Sequence, residues 1–197
     1  MSDYYFHCSI PEIEHPLNEE GKKWFDSLNN KGHWNIPPQY ISKELIKFAP
    51  KVGLQFFDAE VFSLPENFKL QIHVDATQFS RKCKLNWAYC DGQHHNVWYT
   101  PNKNWSKIST AFEQEDGYID DYSFSFEDHE VTEVTRTVLR NPTVITSGQP
   151  HSVITTTHPR KSISVTLMPK GTIPFEKDWG IPIDQMRNYL KDYIVNE

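Results

Sequence analysis

The chain has 197 residues, with 20 Lys and Arg against 26 Asp and Glu and a formal net charge of −6. That length suits one domain with a proper core, and an acidic balance with no polybasic block argues against sequence-independent binding to nucleic acid or anionic lipid. No apolar run is long enough to span a bilayer; Met1-Ser-Asp-Tyr-Tyr5 lacks the pattern of a secretory signal, and three cysteines make an odd count, so a reduced, cytoplasmic protein with free thiols is expected.

Residues 1–50 read as a mixed, partly helical lead-in. Trp24, Phe25 and Leu28 share a face at helical spacing, and Ser42 caps a short helix carrying Leu45, Ile46 and Phe48 that Pro50 ends. From Val52 the texture changes to short β-rich runs: 54–64, 68–75, 84–90, 96–100, 122–126, 131–139, 143–146, 151–157 and 162–167. Pro65-Glu-Asn67, Asp91-Gly92, Asn141-Pro142 and Ser147-Gly148 punctuate them. Strands at such near-regular spacing indicate a mainly β chain, a two-sheet barrel or jelly roll. Pro182 then opens a C-terminal helix over about 182–195, with Ile183, Met186, Leu190 and Tyr193 as its apolar stripe, packed outside a sheet. With no repeat and no linker, a single domain over 1–197 is expected, its core at about 52–168.

Between Glu113 and Glu130 lie eight acidic residues and no Lys or Arg. Two readings stand: a solvated insertion between strands, or a rim that selects a cationic substrate with help from Tyr118 and Tyr122.

The chemistry concentrates in three places. In Lys69-Leu-Gln-Ile-His-Val-Asp75, alternation puts Gln71, His73 and Asp75 on one face and Phe68, Leu70, Ile72 and Val74 on the other. Residues i and i+2 of a strand lie roughly 6–7 Å apart on one face, so His73 and Asp75 can converge on one metal with His151 as a third ligand from a distant strand. Two histidines and a carboxylate suit non-haem Fe(II) and oxygen chemistry. The bland alternatives are a solvated sheet face for His73 and Asp75 and a turn histidine after Pro150 for His151. Arg160 and Ser162 share a face of the next strand, where a guanidinium and a hydroxyl can grip a carboxylate.

The order His73-x-Asp75, then His151, then Arg160-x-Ser162 resembles the Fe(II)/2-oxoglutarate-dependent oxygenases, most closely their small single-domain members, including those encoded by phages. The likeness covers residues 56–167 and not the terminal helices. It implies a double-stranded β-helix core, iron on His73, Asp75 and His151, and 2-oxoglutarate held through its far carboxylate by Arg160 with Ser162. The implied reaction hydroxylates a C–H bond of a peptide or small molecule with O2, releasing succinate and CO2. Asn86 and, less closely, Tyr99 resemble positions that line the cosubstrate pocket; an Asn that only satisfies backbone groups is the even alternative for Asn86.

The chain departs from particular branches of that family. Positions 161–169 lack the further arginine of the nucleobase-demethylating members, so nucleic acid is not the expected substrate. Collagen-type prolyl hydroxylases use Lys where this chain has Arg160, although Lys161 adjoins it. Asp75 fills the position that halogenating members leave open, and Ala76-Thr-Gln-Phe-Ser80 does not fit a cupin motif.

Cys83, Cys90, His94 and His95 could be drawn as a zinc site, but six residues separate the two cysteines where structural zinc pairs take two to four. They read as packed thiols, with the two histidines in a loop at the cleft mouth. No Gly-x-Ser-x-Gly elbow, phosphate loop or dinucleotide fingerprint is present. Trp87, Trp98 and Trp105 either shape the pocket or simply pack. The different-class alternative is a non-enzymatic β-sandwich binding module with no functional metal. Oligomeric state is left open.

Overall fold

The computed structural model of the chain describes residues 2–29, 31–75, 83–90, 93–102, 109–113, 119–140, 142–173 and 180–195, with 109–113 and 119–124 described by backbone alone. Among them, α1 (Glu19–Ser27) starts at Asn18, whose Oδ1 accepts the Gly21 N–H at 2.9 Å, and Glu19 and Glu20 complement the helix dipole. Gly21 allows α1 to approach Tyr40, since a Cβ there would lie 2.6 Å from the Tyr40 carbonyl oxygen. The second helix, α2 (Lys43–Lys51), begins where expected, at Ser42, whose Oγ accepts the Leu45 N–H at 3.2 Å; Pro50 sits in its last turn. Leu45, Phe48 and Ala49 form its buried stripe, whereas Ile46 is 45% exposed, being one 100° step off that face. Helix α3 (Ile183–Tyr189) follows Pro182 and buries Met186 and, just beyond it, Leu190.

Among the described residues, twelve strands build two antiparallel sheets. In chain order they are β1 (Tyr5–His7), β2 (Gly32–Asn35), β3 (Leu54–Leu64), β4 (Ile72–Val74), β5 (Cys83–Tyr89), β6 (His94–Pro101), β7 (Ser109–Glu113), β8 (Ile119–Phe126), β9 (Val131–Thr137), β10 (Thr143–Thr146), β11 (His151–Thr155) and β12 (Arg160–Pro169). The first sheet runs β1-β10-β5-β12-β3-β2 and the second β7-β8-β4-β11-β6-β9. The pairings are nested: β3 with β12, β4 with β11, β5 with β10 and β6 with β9. Chain segments far apart in sequence, 73 and 151 among them, are thereby forced to be neighbours.

The large apolar core does not lie between the sheets. One face of the first sheet presents Cys83, Leu85, Trp87, Val144, Ile163, Val165 and Val61 to the three helices, which add Phe25, Leu45, Phe48, Met186 and Leu190. By alternation, its other face carries Lys84, Asn86, Glu60, Arg160, Ser162 and Ser164 toward the second sheet. A smaller plug of Ala88, Trp98, Leu139 and Ile145, joined by Tyr4 and Tyr5, closes one part of that interior. The remainder is mainly polar, with Phe62 and Leu64 on the same face.

Several expectations are corrected. The run 68–75 is regular strand only over Ile72–Val74, because the Phe68 N–H goes to Thr155 Oγ1 and Lys69 makes only an isolated bridge to Ile154. Strands β1, β2 and β7 are three to five residues long, too short for a period to show. The C-terminal helix stops at Tyr189 and gives way to a 3-10 turn over Lys191–Tyr193. All three cysteines are free thiols. No helix among the described residues is long and apolar enough to cross a membrane.

Candidate metal centre

Strand β11 lies between β4 and β6, with His151 directly opposite His73 on one side and Trp98 on the other. Directly opposed residues share a sheet face, so both imidazoles project into the polar interior, with ring centroids 4.5 Å apart. Asp75 follows at the end of β4. Its backbone N–H donates to Ser147 O at 3.2 Å, tying it to the turn that leads into His151. The clamp is reinforced where Ser152 Oγ donates to Leu70 O at 2.7 Å. Asp75 Oδ1 lies 3.4 Å from His73 Nε2 and 4.0 Å from His151 Nε2. One ligand atom from each of the three residues falls within 4.8 Å of the others, the one such metal-capable group among the described residues.

The two rings are held alike. His73 Nδ1 is 2.8 Å from Gln71 O, and His151 Nδ1 is 2.8 Å from Gln149 O. A carbonyl only accepts, so each Nδ1 carries a hydrogen, and a neutral ring then turns its Nε2 lone pair toward Asp75. Such backbone-anchored imidazoles are the usual outer support of metal ligands.

The charges are set to match. Burial, then the neighbouring His73, pushes His151 down to about 4. Burial acts on His73 in the same sense, but the Asp75 hydrogen bond and charge outweigh it and its pKa is raised. Burial likewise works against ionised Asp75, and Lys84 and His73 overcome it, holding that carboxyl well below its ordinary range. An ionised carboxylate beside two nitrogen lone pairs suits a first-row divalent cation, Fe(II) among them.

Arg160 reaches across from the first sheet. It is 3% exposed, and its Nη1 donates to Asn96 Oδ1 at 2.8 Å. Asn96 opposes Val153, two residue pairs along from the His151–Trp98 pair and on the same face, a step of roughly 6–7 Å. Arg160 Nε is buried with no hydrogen-bond partner among the described residues, and burial lowers the guanidinium to about 10. A buried cation with an orphaned donor, and with no carboxylate paired to it among the described residues, fits an anion at this place. Ser162 follows on the same face, between Ala88 and Phe62.

Asn86 also lies on the cleft face, opposite Ser164 and Thr143, with its Nδ2 donating to Lys84 O at 3.1 Å; both readings given for it from the sequence keep their basis. Tyr99 is not brought to the group. It follows Trp98, so it points to the other side of the second sheet, where it packs with Ile72, Val97 and Val131. Lys161 likewise faces away from Arg160, its Nζ meeting the Phe25, Asp26 and Leu28 carbonyls at the end of α1. Cys83 belongs to the helix-covered core, and the cysteines do not gather with His94 and His95 into a metal-capable group. Trp87 packs in that same core, whereas Trp98 stands beside His151 with its Nε1 donating to Thr146 O at 3.0 Å.

The acidic segment is only partly visible. Its strand β8 pairs with β4, beside His73. Glu127 and Glu130 form a capping box, and Asp128 pairs with Lys69. Residues 114–118, and with them Tyr118, lie outside the described residues, as do Trp105 and 76–80, and of Tyr122 only the backbone is described.

Lys84 and Asn96 are cleft residues that no motif or spacing of their own singles out in the sequence. Lys84 contacts Asp75 Oδ2 at 3.3 Å, and Asn96 holds Arg160. Both are polar residues in largely buried strands, Lys84 between Cys83 and Leu85 and Asn96 between His95 and Val97. Lys84 also precedes Asn86 by two, and that shared face was the available signal. No family model matches the chain, and no curated protein or solved structure matches it either.

Proposed function

We propose that this protein is a non-haem Fe(II)- and 2-oxoglutarate-dependent oxygenase that hydroxylates a C–H bond of a peptide or small molecule. The observation that carries this reading is the gathering of His73, Asp75 and His151 within 4.8 Å, on the sheet face where Asn96, two pairs along from His151–Trp98, holds the buried Arg160 guanidinium. The nested strand pairing supports it as well, since one long hairpin rolled so that its arms alternate between two sheets is a jelly roll.

His73 Nε2, His151 Nε2 and an Asp75 oxygen would hold the ion. Arg160, steadied by Asn96 and joined by Ser162, would bind the far carboxylate of 2-oxoglutarate and so aim its keto acid at the ion. Iron bound there supplies the redox chemistry that divides O2, one oxygen atom going into the hydroxylated product and one into succinate as CO2 leaves. Trp98 and the apolar plug behind it keep water from the rear of the site.

Anaerobic Fe(II) titration tests the reading. One equivalent should bind, and adding 2-oxoglutarate should produce a weak visible charge-transfer band that His73→Ala abolishes. Slow oxygen consumption coupled to succinate formation without substrate should fall in Asp75→Ala. Absence of the band together with metal uptake unchanged in His73→Ala would leave a binding module and end the enzyme reading.

A further inference from the structure

Asp75 has two oxygens, and the protein treats them differently. Oδ1 faces the imidazoles, while Oδ2 meets Lys84 Nζ at 3.3 Å. Lys84 comes from β5 in the first sheet, so this ion pair crosses the interior to the end of β4. Its side chain is 11% exposed and has little room to swing. The far side of the ammonium is held by Glu60 Oε2 at 3.0 Å, and the Phe62 ring lies 5.7 Å away. Glu60 in turn takes His33 Nε2 on Oε1 at 3.0 Å, while His33 stacks on Phe62 with centroids 4.5 Å apart. The ammonium therefore has a built seat between two carboxylates.

We propose that Lys84, braced by Glu60, is a positioning residue that reserves Asp75 Oδ2 and makes Asp75 a one-oxygen ligand. This rests on the metal reading above. A carboxylate free at both oxygens can occupy two adjacent positions on an octahedral ion, and the second would come from those a chelating keto acid and O2 need. Holding Oδ2 keeps that position open. Glu60 offsets the ammonium's charge, so the seat is tolerated beside a cation. A purely electrostatic neighbour predicts the reverse of a positioning residue: deleting an ammonium next to a cation site tightens the cation.

The test is anaerobic Fe(II) titration of the full chain, followed by 2-oxoglutarate titration of the visible band, in wild type, Lys84→Met, Lys84→Arg and Glu60→Gln. Lys84→Met should weaken Fe(II) by about 10–100-fold, the usual cost of losing a partner that orients a ligand. It should also raise the 2-oxoglutarate needed for half-maximal band by about tenfold, although Arg160 is untouched. Lys84→Arg should recover most of both. If Lys84→Met does not fold, as judged by melting of the metal-free protein, Glu60→Gln carries the test: freeing one side of the ammonium should cost about threefold or more in both titrations. Equal or tighter Fe(II) binding with an unchanged 2-oxoglutarate requirement in the folded variant overturns the proposal and leaves the metal reading intact. A wild-type chain that binds no Fe(II) overturns both.

Discussion

Arg160→Met isolates the anion seat proposed at that guanidinium. In the metal-free protein the change removes a buried donor, Nε, that has no partner among the described residues, and it also strips Asn96 Oδ1 of its donor. Each of these is worth about 1–3 kcal/mol and they act in opposite senses, so the melting temperature without ligand should move little and serves as the control. Binding is different. Truncating one partner of a buried, hydrogen-bonded charge pair costs about 2–5 kcal/mol, a loss of about 30-fold to several thousand-fold in affinity for 2-oxoglutarate. If 2-oxoglutarate binds as proposed, at 100 times its dissociation constant it should stabilise the wild type by about 2.7 kcal/mol, about 5–11 °C for a domain of this size. The same concentration should stabilise Arg160→Met by at most about 0.9 kcal/mol, or about 2–4 °C. The assay is thermal melting of the Fe(II) form under argon, with and without 2-oxoglutarate. A variant that binds 2-oxoglutarate within about threefold of wild type and keeps the full shift would refute the placing of the carboxylate on Arg160.

Fe(II) affinity should fall as pH drops through the raised pKa of His73, above its ordinary 6.5, because the metal must displace that proton. His151, at about 4, is already neutral over that range, so Fe(II) binding measured from pH 8 to 5.5 should release at most one proton and not two; a two-proton slope contradicts the assignment. Glu60 is held at about 2 by Lys84 and His33 against the opposing effect of burial. A depressed carboxylate stabilises above its unfolded pKa near 4.5 and loses that contribution as pH falls toward 2, here on the order of 3 kcal/mol. Urea unfolding should therefore weaken less steeply over this interval in Glu60→Gln than in wild type. Leu45→Ala, at a fully buried position between α2 and the first sheet, should cost about 2–5 kcal/mol in unfolding free energy, while Fe(II) binding by the folded fraction stays unchanged.

What could be read from the sequence was whatever has a period or a cap. Ser42 announces α2 because a hydroxyl at that offset is the cap, and Leu54–Leu64 emerges at its observed bounds because eleven residues give alternation room to show. His73, Asp75 and His151 were legible as types at a spacing, but their meeting depends on the pairing of β4 with β11, a long-range register no local pattern encodes. Tyr99 shows the opposite failure: its likeness to a cosubstrate-pocket position suggested a place in the cleft, yet its place immediately after Trp98 commits it to the other face. Lys84 gives no signal of its own in the sequence, because a lysine in an apolar strand has the pattern of a surface residue. Only the second sheet, laid over that face, turns it into a buried charge.

The division between the two sheet faces explains how such an interior persists. A cleft holding Lys84, Glu60, Asp75, Arg160 and two imidazoles cannot itself drive folding, since burying these charges costs desolvation that their pairing only partly offsets. The apolar burial sits instead between the first sheet and the helices, where Trp87, Leu85 and Ile163 alternate with the cleft residues Asn86, Lys84 and Ser162 along the same strands. Each of these strands therefore carries stability on one face and chemistry on the other. Substitutions on the helix side should move melting without changing the ligand set, and substitutions on the cleft side should change ion and anion binding while leaving the helix-packed core in place.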